Sequence, residues 1–385
     1  MKYKYPLFKV HIPVQDSLNN IKEVLNSGFV NEGVQVKKFQ NELVKFLGAK
    51  NLILTNSCTS ALTLALKISG VEPGDEVISS PMTCIATNTP IANLGAKIVW
   101  ADIYPENGSI NPTDIEKKIT NKTRAIVFVN WAGTPCDLEK ISKIGKKHSI
   151  PTIQDSAHSF GAKWNEVCTS NYTDYTCLSF QAIKHLSSGD GGALICKSSK
   201  DAILANKLKW FGLDRNKSKD EKGNWKGQRW NEDIEFKEVG FKFNMNNISA
   251  AIGLSQMKYI SDLVNTHRRN ADIYSDIFTD KNLIKKINVP LNATSSYWVY
   301  TCIFNGNENA RNRLIETLNS EGIEAGLVHL PNDIYSAFKK SKTPLPGTRA
   351  FSSTQISLPC GWWLTAKDCE FIGNRVLELA DQLNT

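Results

Sequence analysis

The sequence predicts an α/β fold with a mainly parallel sheet covered on both faces, and three observations carry that expectation. Short apolar runs recur between about residues 50 and 200: Leu52-Ile53-Leu54, Glu76-Val77-Ile78, Lys97 to Trp100, Ala125 to Val129 and Pro151 to Gln154. Segments of helical period lie between them, as at Thr59 to Ile68 and Asp137 to His148. Turn residues mark the joints, with Asp75 after Pro73-Gly74 and Asp102 after Trp100. Strands alternating with helices favour a parallel sheet, because each crossover helix has to cover a face.

A chain of 385 residues is too long for one compact core. A large unit over 15–260 and a smaller α/β unit over 261–385 are expected, with 1–14 packing beside the latter. The pattern changes at 201–235. Lys217 to Trp230 is rich in Lys, Asp, Gly, Asn and Trp without a period, and reads as a long loop serving as a lid or an intersubunit arm. Asn247 to Asn270 reads as one helix linking the two units. No internal repeat or low-complexity tract is visible.

Composition narrows the function classes. The chain is 41% hydrophobic and 22% charged, ordinary for a globular protein. No apolar run approaches the roughly 20 residues that cross a bilayer, and residues 1–14 lack the apolar stretch of a signal peptide, so a cytoplasmic location is expected, without membrane association. The net charge of +8 comes from lysines spread along the chain, not from the clustered patch that binds nucleic acid. An anionic, phosphate-bearing substrate fits that charge better. The nine cysteines include no C-x-x-C pair, which argues against a structural zinc site and for buried free thiols; no metal is expected.

Three clusters follow predicted strands, where ligands bind in α/β sheets. The first, Thr55 to Leu62, opens a helix with small hydroxyl residues; its free amides favour an anion, and Thr59 and Ser60 add hydroxyls. The same residues also read as a plain N-cap by Ser57 or Thr59. The second is Gln154-Asp155-Ser156-Ala157-His158. Asp155 is placed to hold a cationic ring nitrogen, and His158 to face the same pocket; a capping aspartate and a structural histidine are the alternatives. The third runs from Ser179 to Gly192. It sets Lys184 among small and apolar residues, where desolvation makes an amine nucleophilic. The Gly-rich turn after it is not G-x-G-x-x-G, and no Walker A sequence exists. An anion site, a carboxylate and a semi-buried lysine match the phosphate, pyridinium nitrogen and aldehyde of pyridoxal 5'-phosphate (PLP).

The order and spacing of these clusters resemble the DegT/DnrJ/EryC1/StrS sugar aminotransferases, from Gly28-Phe29-Val30 to Leu358-Pro359. The most specific element is Ser-Phe-x-x-x-Lys followed by Gly-acid-Gly-Gly, Ser179 to Gly192 here. The resemblance implies PLP fold type I, the aspartate aminotransferase-like architecture with a seven-stranded mixed sheet. It implies Lys184 as the aldimine lysine and proton carrier, Asp155 on the pyridinium nitrogen and His158 near the phenolic oxygen. Thr59, Ser60 and Ser179 would hold the phosphate. It also implies a homodimer with shared sites, where a residue of Gly240 to Met245 completes the neighbour's phosphate site.

Two departures from the family pattern fall in the site. Lys242 stands where the family usually has Asn, and would meet the neighbour's phosphate as a point charge. Cys84, after Thr83, stands where an aromatic usually covers the cofactor ring. Cys58 also replaces a common Gly. The implied reaction is ping-pong transamination: glutamate leaves its amino group on the cofactor as pyridoxamine 5'-phosphate (PMP), which aminates a keto group on a nucleotide-diphosphate sugar, as in polysaccharide or O-antigen biosynthesis. Arg215 and His329 are substrate-contact candidates. The rivals are a PLP/PMP-dependent sugar dehydratase, which has histidine at the lysine position, a non-catalytic PLP-binding regulator, and a desulfurase using Cys84.

Overall fold

The computed structural model describes residues 3–214, 237–279, 283–338 and 340–383. Two helices, α1 (Val14–Ser27) and α2 (Val34–Leu47), come first. Strands and helices then alternate: β1 (Leu52–Thr55), α3 (Cys58–Ile68), β2 (Glu76–Ser79), α4 (Ile85–Asn93), β3 (Lys97–Trp100), α5 (Pro112–Lys117), β4 (Thr123–Val129), α6 (Leu138–His148) and β5 (Thr152–Asp155). A short hairpin, β6 (Lys163–Trp164) and β7 (Val167–Cys168), leads to β8 (Tyr175–Ser179), β9 (Gly192–Cys196) and α7 (Ser199–Leu208). Next come α8 (Asn247–Gln256), α9 (Ile260–Ile277), β10 (Ile284–Lys286), β11 (Ala293–Thr294) and β12 (Tyr300–Phe304). The chain ends with α10 (Glu308–Ser320), α11 (Pro346–Thr354), β13 (Gln355–Leu358) and α12 (Ala366–Leu383).

Seven strands form one sheet in the order β1-β9-β8-β5-β4-β2-β3. The pairs from β8 through β5, β4 and β2 to β3 are parallel, and β9 runs antiparallel to both β1 and β8. Alternate residues of each strand serve opposite faces. Ile53, Val77, Val127, Ile153, Cys177 and Leu194 share a core with α3 and α7. On the other face Leu54, Leu178 and Ala193 meet α2 and α8, while Ile78 and Phe128 meet α6. Burial on both faces explains why the strands read as continuous apolar runs.

A second sheet, β10-β12-β13, is antiparallel and packs on α9, α10 and α12 around Tyr274, Phe304 and Leu314. Tyr5 bridges to Ile323 here, so the N-terminal segment lies beside the second sheet. The third sheet, β11-β6-β7, returns residues 293–294 to the first half of the chain.

Two local expectations change. The single helix expected over Asn247 to Asn270 is two helices, α8 and α9. The amides of Met257 and Tyr259 reach back only three residues, to Leu254 and Gln256, because α8 packs on α1 and α2 whereas α9 packs on α12. One straight rod cannot serve both directions. Asp102 is more than a turn residue: its carboxylate accepts from the Gly347 and Thr348 amides at 2.8 Å each, capping α11 from across the fold. All nine cysteines are free thiols, six of them buried.

The C-terminal edge of the parallel strands gathers the predicted clusters. Thr55 on β1 and Ser179 on β8 both pair with Gly192 on β9, and Asp155 pairs with Cys177 on β8. Gly192 has no room for a side chain: a Cβ would meet the Ser57 carbonyl and lie 2.5 Å from the Cys58 nitrogen. Gly192→Ala should therefore destabilise the protein by about 1–3 kcal/mol, seen as a lower urea midpoint with an unchanged slope.

Candidate active site

Four elements converge at this edge. The first is the start of α3. Ser57 caps it, its Oγ accepting the Ser60 amide at 3.1 Å. The Ser60 hydroxyl donates to Asn56 Oδ1 at 2.6 Å, so it is engaged within the cap. The amides of Cys58 and Thr59 precede any intrahelical acceptor and are left for an anion. Ser179 lies two strands away, its Oγ accepting the Gln181 amide at 3.3 Å.

The second element is the end of β5. Asp155 is 4% exposed. Its Oδ1 accepts from the Ala157 amide at 3.0 Å and the Cys58 thiol at 3.7 Å. Its Oδ2 accepts from Thr87 Oγ1 on α4 at 2.7 Å, and Thr87 is 2.7 Å from Thr83 Oγ1. Burial pushes the Asp155 carboxyl above its ordinary value, and the Thr87 and Ala157 hydrogen bonds and the Lys184 charge oppose that rise.

The third element is the turn between β8 and β9. Phe180 N donates to Gly191 O and Ser188 N to Phe180 O, closing a tight loop that carries Lys184 inward. Burial lowers the Lys184 amine to about 8, against the raising pull of Asp155, Cys84 and Cys58. Next to it, His185 is directed elsewhere, with Nε2 donating to Ser296 O at 2.9 Å.

The fourth element comes from far along the chain. Residues 293–298 run across the loop after β4, with Ser296 N donating to Gly133 O and Trp298 N to Ala132 O. Lys184 Nζ sits 3.5 Å from the Trp298 ring centroid, a cation–π contact for the ammonium form. His158 stacks on the same indole: its ring centroid is 4.0 Å from that of Trp298, at 18°. His158 Nε2 is 3.4 Å from His329 Nε2. Burial holds both imidazoles below their ordinary range, His329 at about 3, so at neutral pH one ring donates to the other. Asn332 fixes the His329 segment by donating to Thr83 O at 2.8 Å. Between them lies a cleft of about 560 Å³ that Cys84, His329 and Tyr335 help to line.

The structure thus brings Thr59, Ser60, Cys84, Asp155, His158, Ser179, Lys184 and His329 to one end of the sheet. Lys242 is held within its own chain by Asn244 Oδ1 and the Trp210 ring, beside Asn56. Arg215 and the segment Lys217 to Trp230 lie outside the described residues. Thr83, Thr87, Trp298 and Asn332 were missed from sequence. None of the four carried a readable signal, since only the fold brings Thr83 and Thr87 to Asp155 and Trp298 to Lys184.

A model of the DegT/DnrJ/EryC1/StrS aminotransferase family matches residues 13–377. The chain belongs to this family. A UDP-4-amino-4,6-dideoxy-N-acetyl-beta-L-altrosamine transaminase of Helicobacter pylori is 31% identical over 363 residues, 93% of each chain. A UDP-4-amino-4-deoxy-L-arabinose–oxoglutarate aminotransferase of Shewanella sediminis is 31% identical over 286 residues, 74% of this chain and 72% of its own. AtS13 from Actinomadura melliaura superposes with a TM-score of 0.89 at 32% identity, covering 98% and 99% of the two chains.

The residues of this aminotransferase fit PLP on their own geometry. His158 Nδ1 is buried without a hydrogen-bond partner among the described residues, Asp155 retains acceptor capacity on Oδ2, and the α3 amides face the same edge. The lowered Lys184 value sets an expectation for the apoprotein. Acetic anhydride acylates only the neutral amine, so labelling of Lys184 should reach half its maximum near pH 8. Exposed lysines should do so near their ordinary value of about 10.4. Peptide mass spectrometry across a pH series reads both.

Proposed function

We propose that this family member is a PLP-dependent aminotransferase that moves an amino group from glutamate to a keto group on a nucleotide-linked sugar. The observation that carries the reading is the desolvated Lys184 amine, held at the same sheet edge as the buried Asp155 carboxylate. The two relatives named for UDP-sugars, one of them an oxoglutarate aminotransferase, support the substrate class and the donor.

Bound here, PLP supplies an aldehyde that captures amines and a ring that takes up electron density. The protein's part is binding, orientation and proton movement. The Cys58 and Thr59 amides, with the Thr59 and Ser179 hydroxyls, hold the phosphate. Asp155 pairs with the ring nitrogen and keeps it protonated. His158, neutral and supported by His329, offers Nδ1 to the ring hydroxyl oxygen. Lys184 Nζ would act as general base and then general acid, taking a proton from the substrate carbon and delivering it back; an amine titrating near 8 suits both roles. Lys242 reaches the neighbour's phosphate in a homodimer, as a point charge.

The large unit over 15–260 carries the cofactor groups, and the small unit over 261–385 contributes Trp298 and His329. The separate core around the second sheet supports that division. Among the described residues no helix is long and apolar enough to cross a membrane; a cytoplasmic location is part of the proposal. Dehydration is disfavoured by Lys184 itself: the neighbouring histidine, His185, is bound to Ser296 O.

The purified protein should be yellow with PLP, and its absorbance band should bleach on adding glutamate. A protein that stays colourless with added PLP contradicts the reading. Lys184→Ala should lose about 10²–10⁴-fold in turnover from proton transfer alone, measured with a panel of keto-sugar nucleotides. His329→Ala should raise KM for the sugar nucleotide; an unchanged KM removes His329 from substrate binding.

A further inference from the structure

Asp155 is held by an unusual donor set. An ionised carboxylate only accepts hydrogen bonds and offers about four positions. Two on Oδ1 are filled, by the Ala157 amide and the Cys58 thiol. One on Oδ2 is filled by the Thr87 hydroxyl. Because Thr87 gives its proton to Asp155, the hydroxyl of Thr83, 2.7 Å away, must donate to Thr87. The proton direction along Thr83, Thr87 and Asp155 is therefore set. Cys58 and Thr87 come from the starts of different helices, α3 and α4, and grip the two oxygens separately.

We propose that Cys58 and Thr87 are positioning residues for Asp155, pinning one oxygen each so that a single acceptor position, on Oδ2, remains for a cationic ring N–H. The inference rests on the reading of Asp155 as the partner of the cofactor ring. The groups facing this carboxylate are Cys58 from α3, Thr87 from α4, Cys177 from β8 and Lys184 from the β8–β9 turn. Burial favours its neutral form, and the Thr87 and Cys58 hydrogen bonds favour the charged one. Losing either donor makes the carboxylate easier to protonate, and a protonated Asp155 no longer holds a cationic ring.

The test uses PMP, which has no aldehyde for Lys184 to capture, and measures its Kd from acid to neutral pH by equilibrium dialysis. Thr87→Val should weaken binding about 10–100-fold, the effect of removing a hydrogen bond to a charged group. Cys58→Ala should weaken it several-fold, since a thiol is a weak donor. In both variants the pH below which affinity falls should move upward, and Thr87→Ser should restore it. A loss that is uniform in pH, or an unchanged profile in Cys58→Ala and Thr87→Val, overturns the inference while leaving the PLP site intact. Wild-type protein that binds no PMP overturns the reading of the site itself.

Discussion

Holding a lysine amine and an aspartate carboxylate out of water at one sheet edge is the constraint on which the rest of this site depends. Burial lowers the Lys184 amine to about 8, a cost of about 3 kcal/mol to the folded state while the amine is charged. That cost is fully present below pH 8. It disappears as pH rises toward the unfolded value, where the amine is neutral in both states. The pull of Asp155 is already contained in that value, and the Trp298 ring face adds a favourable contact for the ammonium. The fold therefore maintains an amine that is reactive because its charged form is poorly solvated.

Keeping water away from that amine takes segments distant in sequence. Residues 293–298 cross the loop after β4 and set Trp298 against Lys184, while Trp298 Nε1 donates to Ile183 O at 2.8 Å and ties the lysine turn to the same indole. Asn332 joins the His329 segment to the start of α4 through Thr83 O and Asn88 Nδ2. Asp102 caps α11 from the end of β3. These contacts make the second half of the chain a wall of the site. Cys84 carries no ring, and the rings near Lys184 are Trp298, His158 and His329.

The alternation of strands and helices in the large sheet was legible because its central strands are buried on both faces and read as apolar runs, whereas the short, partly exposed β6–β7 hairpin left no such run. Lys184, Asp155 and the α3 start were legible because each follows such a run, and their spacing matched one family. The break between α8 and α9 was not, since the periodicity continues and only the different packing partners of the two helices force it. The capping role of Asp102 and the Thr83–Thr87–Asp155 chain were likewise hidden, as hydrogen bonds between distant elements leave no periodic trace.

By itself, then, the sequence determined the family, the sheet and the chemical groups of the site, because local burial and motif spacing depend on neighbours in the chain. Only the tertiary structure decided which surfaces face those groups. Trp298 over the lysine, His329 against His158, and Cys58 with Thr87 on the two oxygens of Asp155 are contacts between residues 68 to 171 apart in the chain. Their geometry is set by how the layers pack, and pattern along the chain does not encode it.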